Sequence, residues 1–183
     1  MLQQPAEVQP YAAKKIAETL KERRRYFSKE MMEYYRFISK IVTITGTNQR
    51  EQFTITKNPD GTVRVVSHKI DKENNISSKL YDRTFDPEVT KELRIFGLHD
   101  DDRFLIEGGN SPIRIRVIGG SGNDEFVNNG TGKKIRLYDA SFEKNTISGS
   151  ERFRERIEDD PQVNRYDRLN FKYDFFNPGF KFE

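Results

Sequence analysis

The sequence predicts a mainly β protein: a short β-solenoid, a parallel β-helix or roll-like stack of three to four coils, with an N-terminal amphipathic helix and an inserted β-hairpin. Three observations carry that expectation. The strand-like run Ile113 to Ile118 leads into Gly119-Gly120-Ser121-Gly122-Asn123-Asp124-Glu125-Phe126-Val127, a glycine-rich turn that ends in an aspartate. The design recurs: Gly97, Asp102 and Phe104 keep the mutual offsets of Gly119, Asp124 and Phe126, and Gly46, Glu51 and Phe53 keep them again. The spacing is 22 residues from Gly97 to Gly119 and 20 from Gly119 to Asp139, a period that belongs to repeat architectures.

In chain order, the first expected element is a helix over about 10–40. Pro10 suits a first helical turn, and Ile16, Leu20, Phe27, Met31, Tyr34 or Tyr35 and Ile38 recur every three or four residues. Because the helix runs directly into Ile41 to Thr45, it is expected to cap the open edge of the stack. Arg23-Arg24-Arg25 reads as a solvated helix face.

The repeats are expected over 41–150. Leu93 with Ile95, Ile115 with Val117, and Ile135 with Leu137 share one face by strict alternation, while Arg94, Arg116 and Arg136 share the other. Stacked copies would place Ile44, Ile95, Val117 and Leu137 about 4.8 Å apart. Ile135 to Asp139 begins a degenerate fourth copy, with Asp139 at the glycine position, Lys144 at the acid position and Thr146 at the phenylalanine position. Gly46 and Gly97 are 51 residues apart, so an insertion at about 57–90 must leave the stack. Asn58-Pro59-Asp60-Gly61 and Lys72-Glu73-Asn74-Asn75 are its turn signals. The stretch 151–183 reads as a linker in which Leu169, Phe171, Tyr173 and Phe175 alternate with polar residues.

Hydrophobic residues make up 34% of the 183 and charged residues 33%, so one core forms and most of the chain faces water. With 32 basic and 29 acidic residues the net charge is only +3, and bulk charge demands no nucleic-acid partner. The absence of cysteine rules out disulfides and thiolate metal sites. No signal peptide is read at Met1 to Pro5, and no run of 18 apolar residues occurs.

Several segments carry a family resemblance: Tyr34 to Phe37, Val42 to Thr47, Ser78 to Pro87, Glu92 to Leu98 and the Gly119 to Phe126 turn. Together they resemble a region of large Bacteroidetes outer-membrane proteins, in which a calcineurin-like metallophosphoesterase domain often comes first and a surface-antigen type β-barrel comes last. The resemblance covers most of Tyr11 to Glu183. The degenerate repeat without a catalytic constellation points to a non-catalytic module, and the resemblance implies that it lies between those domains in the cell envelope, associated with the outer membrane, spacing or docking them, with 151–183 as the approach to the barrel. Its partners would be the adjacent domains, with outer-membrane lipid or lipopolysaccharide as a further partner and no nucleic acid. The Asp-x-His, Gly-Asp and Gly-Asn-His motifs of the phosphoesterase are missing, and His68 and His99 are the only histidines.

Three chemical readings stand beside the structural one. Gly119 to Val127 matches the nonapeptide of calcium-binding repeats-in-toxin proteins, so Asp102 and Asp124 with the turn of Gly120 and Gly122 form a candidate calcium site. Otherwise those glycines are simply turn residues. No cofactor other than that calcium is expected. Arg94, Arg116 and Arg136 form a candidate anion site, because stacked like charges need compensation. That compensation comes either from a polyanion or from within the chain, from Glu18, Glu22, Glu30, Glu33 or acids of the insertion. Asp100, Asp101, Asp102 and Asp124 would serve a carbohydrate-active enzyme, the least favoured reading because exposed turn acids lack an apolar pocket.

Overall fold

The structure is a computed structural model and describes residues 12–133 and 135–167. The chain divides into two units, Met1–Ser39 and Lys40–Glu183. The first holds α1 (Lys14–Ile38), a 25-residue span free of glycine and proline and rich in strong helix formers. Ser39 N–H donates to Tyr35 O (2.9 Å), and Arg36 in the last turn complements the helix dipole. None of the described residues of α1 is buried.

The second unit contains β1 (Ile41–Thr45), β2 (Glu51–Lys57), β3 (Val63–Ile70), β4 (Ile76–Phe85), β5 (Glu92–His99) and β6 (Arg103–Gly108). After these come β7 (Arg114–Ser121), β8 (Glu125–Asn128), β9 (Ile135–Asp139), β10 (Thr146–Ser148), β11 (Phe153–Ile157) and the single turn α2 (Pro161–Asn164). They form a five-stranded parallel sheet, β1-β5-β7-β9-β11, and a six-stranded sheet, β10-β8-β6-β2-β3-β4.

The β-solenoid expectation is thereby corrected. The architecture is α/β: one long helix and two distinct sheets, one of them mixed. What overturns the stack is the segment expected to leave it. Asn58 N–H donates to Thr62 O (2.9 Å) across the Asn58 to Gly61 turn, so β3 returns antiparallel to β2 and β4 antiparallel to β3. The backbone groups on that side of β2 are satisfied by β3, and the hairpin becomes part of the sheet rather than an appendage.

The repeat itself survives as register. Phe53 pairs with Phe104, and Phe104 with Phe126, along parallel strands. Their rings stack at centroid distances of 5.1 and 5.0 Å with nearly parallel planes. On the other sheet Ile44, Ile95, Val117 and Leu137 are successive partners. Both rows are buried in one core shared by the two sheets. Phe153 of β11 joins that core, so the parallel sheet extends into the stretch read as a linker. On the outer face of the same sheet, Phe96, Ile118 and Tyr138 are covered by Val163 and Tyr166, which is why β5 and β7 are buried on both faces. The aromatic alternation from Leu169 onward lies outside the described residues.

Candidate functional site

The repeated acids open the second strand of each copy. Glu51 N–H donates to Asp102 Oδ1 (2.8 Å), Asp102 N–H to Asp124 Oδ1 (2.7 Å) and Asp124 N–H to Asn145 Oδ1 (2.8 Å). The Asp102, Asp124 and Asn145 side chains thus accept from the copy before them, while the Glu51 carboxyl accepts from Thr47 N–H (2.9 Å) in its own copy. The Gly-x4-acid spacing has a steric cause: the second carboxyl oxygen leans into the space left by the glycine of its own copy. A Cβ on Gly97 would overlap Asp102 Oδ2, and one on Gly119 would overlap Oδ2 of both Asp124 and Asp139.

The fourth copy is one residue longer than expected. Ile147 is the register partner of Phe126, so Asn145, and not Lys144, stands at the acid position. Asp139, at the glycine position, accepts from Ala140 N–H (2.8 Å) and turns its carboxyl toward Gly119.

Oδ2 of Asp102, Asp124 and Asp139 is buried without a hydrogen-bond partner among the described residues. Burial, against the help of the Glu51 N–H, pushes the Asp102 carboxyl up to about 9, with the neighbouring acids Asp124, Glu51 and Asp100 adding to the rise. Burial also lifts Asp124 to about 7, with Glu143 and Asp101 contributing. Asp139 is raised too, by burial and then by Asp124. At neutral pH Asp102 is therefore a carboxylic acid inside the protein.

This end of the molecule is built for hydrogen bonding. Because both Oδ1 atoms already accept N–H groups, a calcium ion between Asp102 and Asp124 would have only their Oδ2 atoms and would have to ionise a buried acid. Gly120 packs directly against the Leu98 carbonyl and Gly122 against that of Asp100. Among the described residues, no group of three or more His, Cys, Asp or Glu side chains is placed to hold a metal ion. The backbone of the turn also repeats without its glycines. Leu98, the partner of Gly120, has φ 91°, and Asp100 has φ 74°.

Carboxylates at the surface here have partners as well. Asp101 Oδ1 accepts from Asn123 N–H (2.8 Å), and Arg103 donates to Glu125 (2.5 Å) beside a recess of about 310 Å³ that Asp101, Asp102 and Glu125 help to line. Asp100 is exposed and accepts from Asp101 N–H (3.1 Å). His99 Nδ1 meets Ser121 Oγ at 2.5 Å in the exposed turn.

The arginines lie on the outer face of the five-stranded sheet, where Arg94, Arg116, Arg136 and Arg154 are successive register partners. Arg94 and Arg116 are buried, and so is the group that holds them: Glu92, two residues before Arg94 on the same face. Arg94 Nε donates to Glu92 Oε1 (2.6 Å), Arg114 Nη1 donates to Glu92 Oε2 (3.0 Å), and Arg116 donates to Glu92 Oε2 (3.4 Å) and to Tyr138 OH (3.0 Å). Arg116 Nε also lies 2.9 Å from Glu92 Oε1, as an ion pair without hydrogen-bond alignment. Burial raises the Glu92 carboxyl, but the Arg94 hydrogen bond and the Arg116 and Arg94 charges outweigh it and leave it below its ordinary value.

No protein-family profile, curated protein or solved structure matches the chain. Its chemistry is therefore read from its own residues. The sequence places Arg94, Arg116 and Arg136 on one face, but the counter-charge it suggests, either a polyanion or acids of the helix or the insertion, does not include Glu92. The signal was present as Glu92-x-Arg94 followed 22 residues later by Arg114-x-Arg116, because residues two apart on a strand share a face.

Proposed function

We propose that this chain is a non-catalytic structural module that spaces or docks neighbouring domains of a multidomain cell-envelope protein. One observation carries the reading: the polar residues that recur with the repeat are committed to the fold. The Asp102 and Asp124 carboxyls take the backbone N–H groups of Glu51 and Asp102, the Glu51 carboxyl takes the N–H of Thr47 in its own copy, and Glu92 gathers three arginines. A general acid and base need carboxyls that reach a substrate, whereas Asp102 and Asp124 are only 2% and 1% exposed. The resemblance to the stretch between a phosphoesterase-like domain and an outer-membrane β-barrel supports the spacing role. No described helix is long and apolar enough to cross a membrane, which leaves strands out of account.

Two measurements test the proposal. The genomic sequence on both sides of this segment should encode a phosphoesterase-type domain before it and a barrel after it. The isolated chain, assayed against aryl phosphates and β-linked oligosaccharides, should give no turnover. Turnover abolished by Asp101→Asn or Asp100→Asn would overturn the non-catalytic reading.

A further inference from the structure

We infer that a basic groove on this module binds phosphate esters. The groove, about 580 Å³, lies where Lys91, just before β5, and the first residues of β7, β9 and β11 meet the end of β2. Six cationic side chains line it, Lys57, Lys91, Arg114, Lys133, Arg136 and Arg154, and no carboxylate is among its described lining residues. In a chain with a net charge of only +3, that concentration of one sign is local.

The positions are specific. Arg136 and Arg154 are directly paired across β9 and β11, and both also line a second recess of about 230 Å³ on the outer face with Tyr138 and Arg156. Adjacent strands put these two guanidinium stems about 4.8 Å apart, close enough for one anion to bridge them. Planar guanidinium forks match the oxygens of a phosphate in bidentate fashion. Lys57 forms the floor: it is buried, donates to Thr131 O (2.6 Å), and burial lowers its pKa, so a nearby anion would favour its charged form. Ile113, Ile115 and Ile135 add an apolar wall. The ligand that fits is a multiply charged phosphate ester on an apolar or sugar body, either a soluble ester or the phosphorylated headgroup of a lipid.

Two probes separate those sources: inorganic tripolyphosphate in calorimetric titration, and co-sedimentation with phosphatidylcholine vesicles with and without phosphatidic acid. Saturable tripolyphosphate binding supports the groove, and vesicle binding that depends on phosphatidic acid adds the headgroup as its source. The double variant Lys133→Glu/Arg154→Glu should weaken binding at least about tenfold, a difference of about 1.4 kcal/mol. Lys72→Glu/Lys144→Glu, with the same change in net charge outside the groove, should leave it within about twofold. If charge reversal prevents folding, Lys133→Gln/Arg154→Gln gives the same contrast. Equal losses from both double variants, equal competition by polyglutamate, or no saturable binding of either probe would overturn the inference. None of these outcomes touches the spacing role, which is judged by the flanking sequence and by turnover.

Discussion

Two columns of like charge run across the strands of this protein, and they are stabilised in opposite ways. At the turn end, Glu51, Asp102 and Asp124 stack inside the molecule, where burial raises Asp102 and Asp124 until the acids lose charge near neutrality. On the outer face of the parallel sheet, Arg94 and Arg116 stack just as closely and cannot deprotonate, so they remain charged and require Glu92. A repeat multiplies each residue's electrostatic problem by the number of copies. Carboxyls solve it by taking up a proton, guanidinium groups only by acquiring a counter-ion.

The largest effect that should distinguish the columns comes from removing one charge from each. Glu92→Gln leaves buried arginines without their carboxylate and should cost about 3–5 kcal/mol. Asp102→Asn keeps an oxygen for the Glu51 N–H and escapes the cost of holding a buried acid protonated at pH 7, so it should be neutral or stabilising there. Urea denaturation of the two variants checks this. Equal losses would mean that Asp102 is folded as an anion.

Next in size is the pH profile, in which the columns have opposite signs. The Asp102 and Asp124 carboxyls titrate near 3.8 in the unfolded chain but near 9 and 7 in the fold. Their contribution to stability is fully present below the unfolded value and is lost as pH rises from about 4 to 9, since the folded state holds the protons longer. Glu92 is lowered, so its contribution is present above its unfolded value near 4.5 and is lost as pH falls through the depressed folded value. Thermal melting should therefore be highest near pH 5 and fall steadily toward pH 9. Asp102→Asn should flatten the alkaline limb and leave the acidic one unchanged.

A smaller effect isolates the hydrogen bond from the charge. Asp124→Ala removes the acceptor of the buried Asp102 N–H and should cost about 1–3 kcal/mol, whereas Asp124→Asn should retain most of the stability. Chemical denaturation at pH 6 separates the two. If alanine and asparagine cost the same, the Oδ1 contact contributes nothing.

How much of this could be read in the sequence differs between regions. The phenylalanine row, the aliphatic row and the arginine face were legible because strand alternation fixes them within each copy, whichever way the copies are assembled. The assembly was not. Gln52 to Thr56 looks the same whether its far side meets solvent or β3, and the Asn58 to Gly61 turn announces a hairpin without saying that the hairpin will join the sheet. The Gly-x4-acid spacing was visible, but its cause was not, because the overlap between Gly119 and Asp124 Oδ2 exists only after the turn closes. One extra residue before Asn145 shifted the fourth copy out of alignment, and a period counted along the sequence cannot detect such a shift when the acid itself has been replaced.

The smallest prediction concerns the turn that both columns share. Leu98-His99 pairs in register with Gly120-Ser121 without glycine, and Asp100 after it adopts φ 74°. A non-glycine residue in the left-handed region costs about 1 kcal/mol or more, less for aspartate than for most. Leu98 also lies at positive φ, 91°, but it packs against Phe96, Ile118 and Tyr138, so replacing it would confuse strain with lost burial. Asp100 is exposed, and its side chain only accepts from Asp101 N–H, so Asp100→Gly isolates the backbone term. The extra freedom glycine gives the unfolded chain opposes the gain. It also removes one of the charges that raise Asp102, which assists at alkaline pH. The expected result is a gain of about 0.5 kcal/mol at pH 7 that grows toward pH 9. A loss at both pH values would show that the Asp100 carboxylate holds the turn in place, and that this copy differs from its neighbour in more than strain.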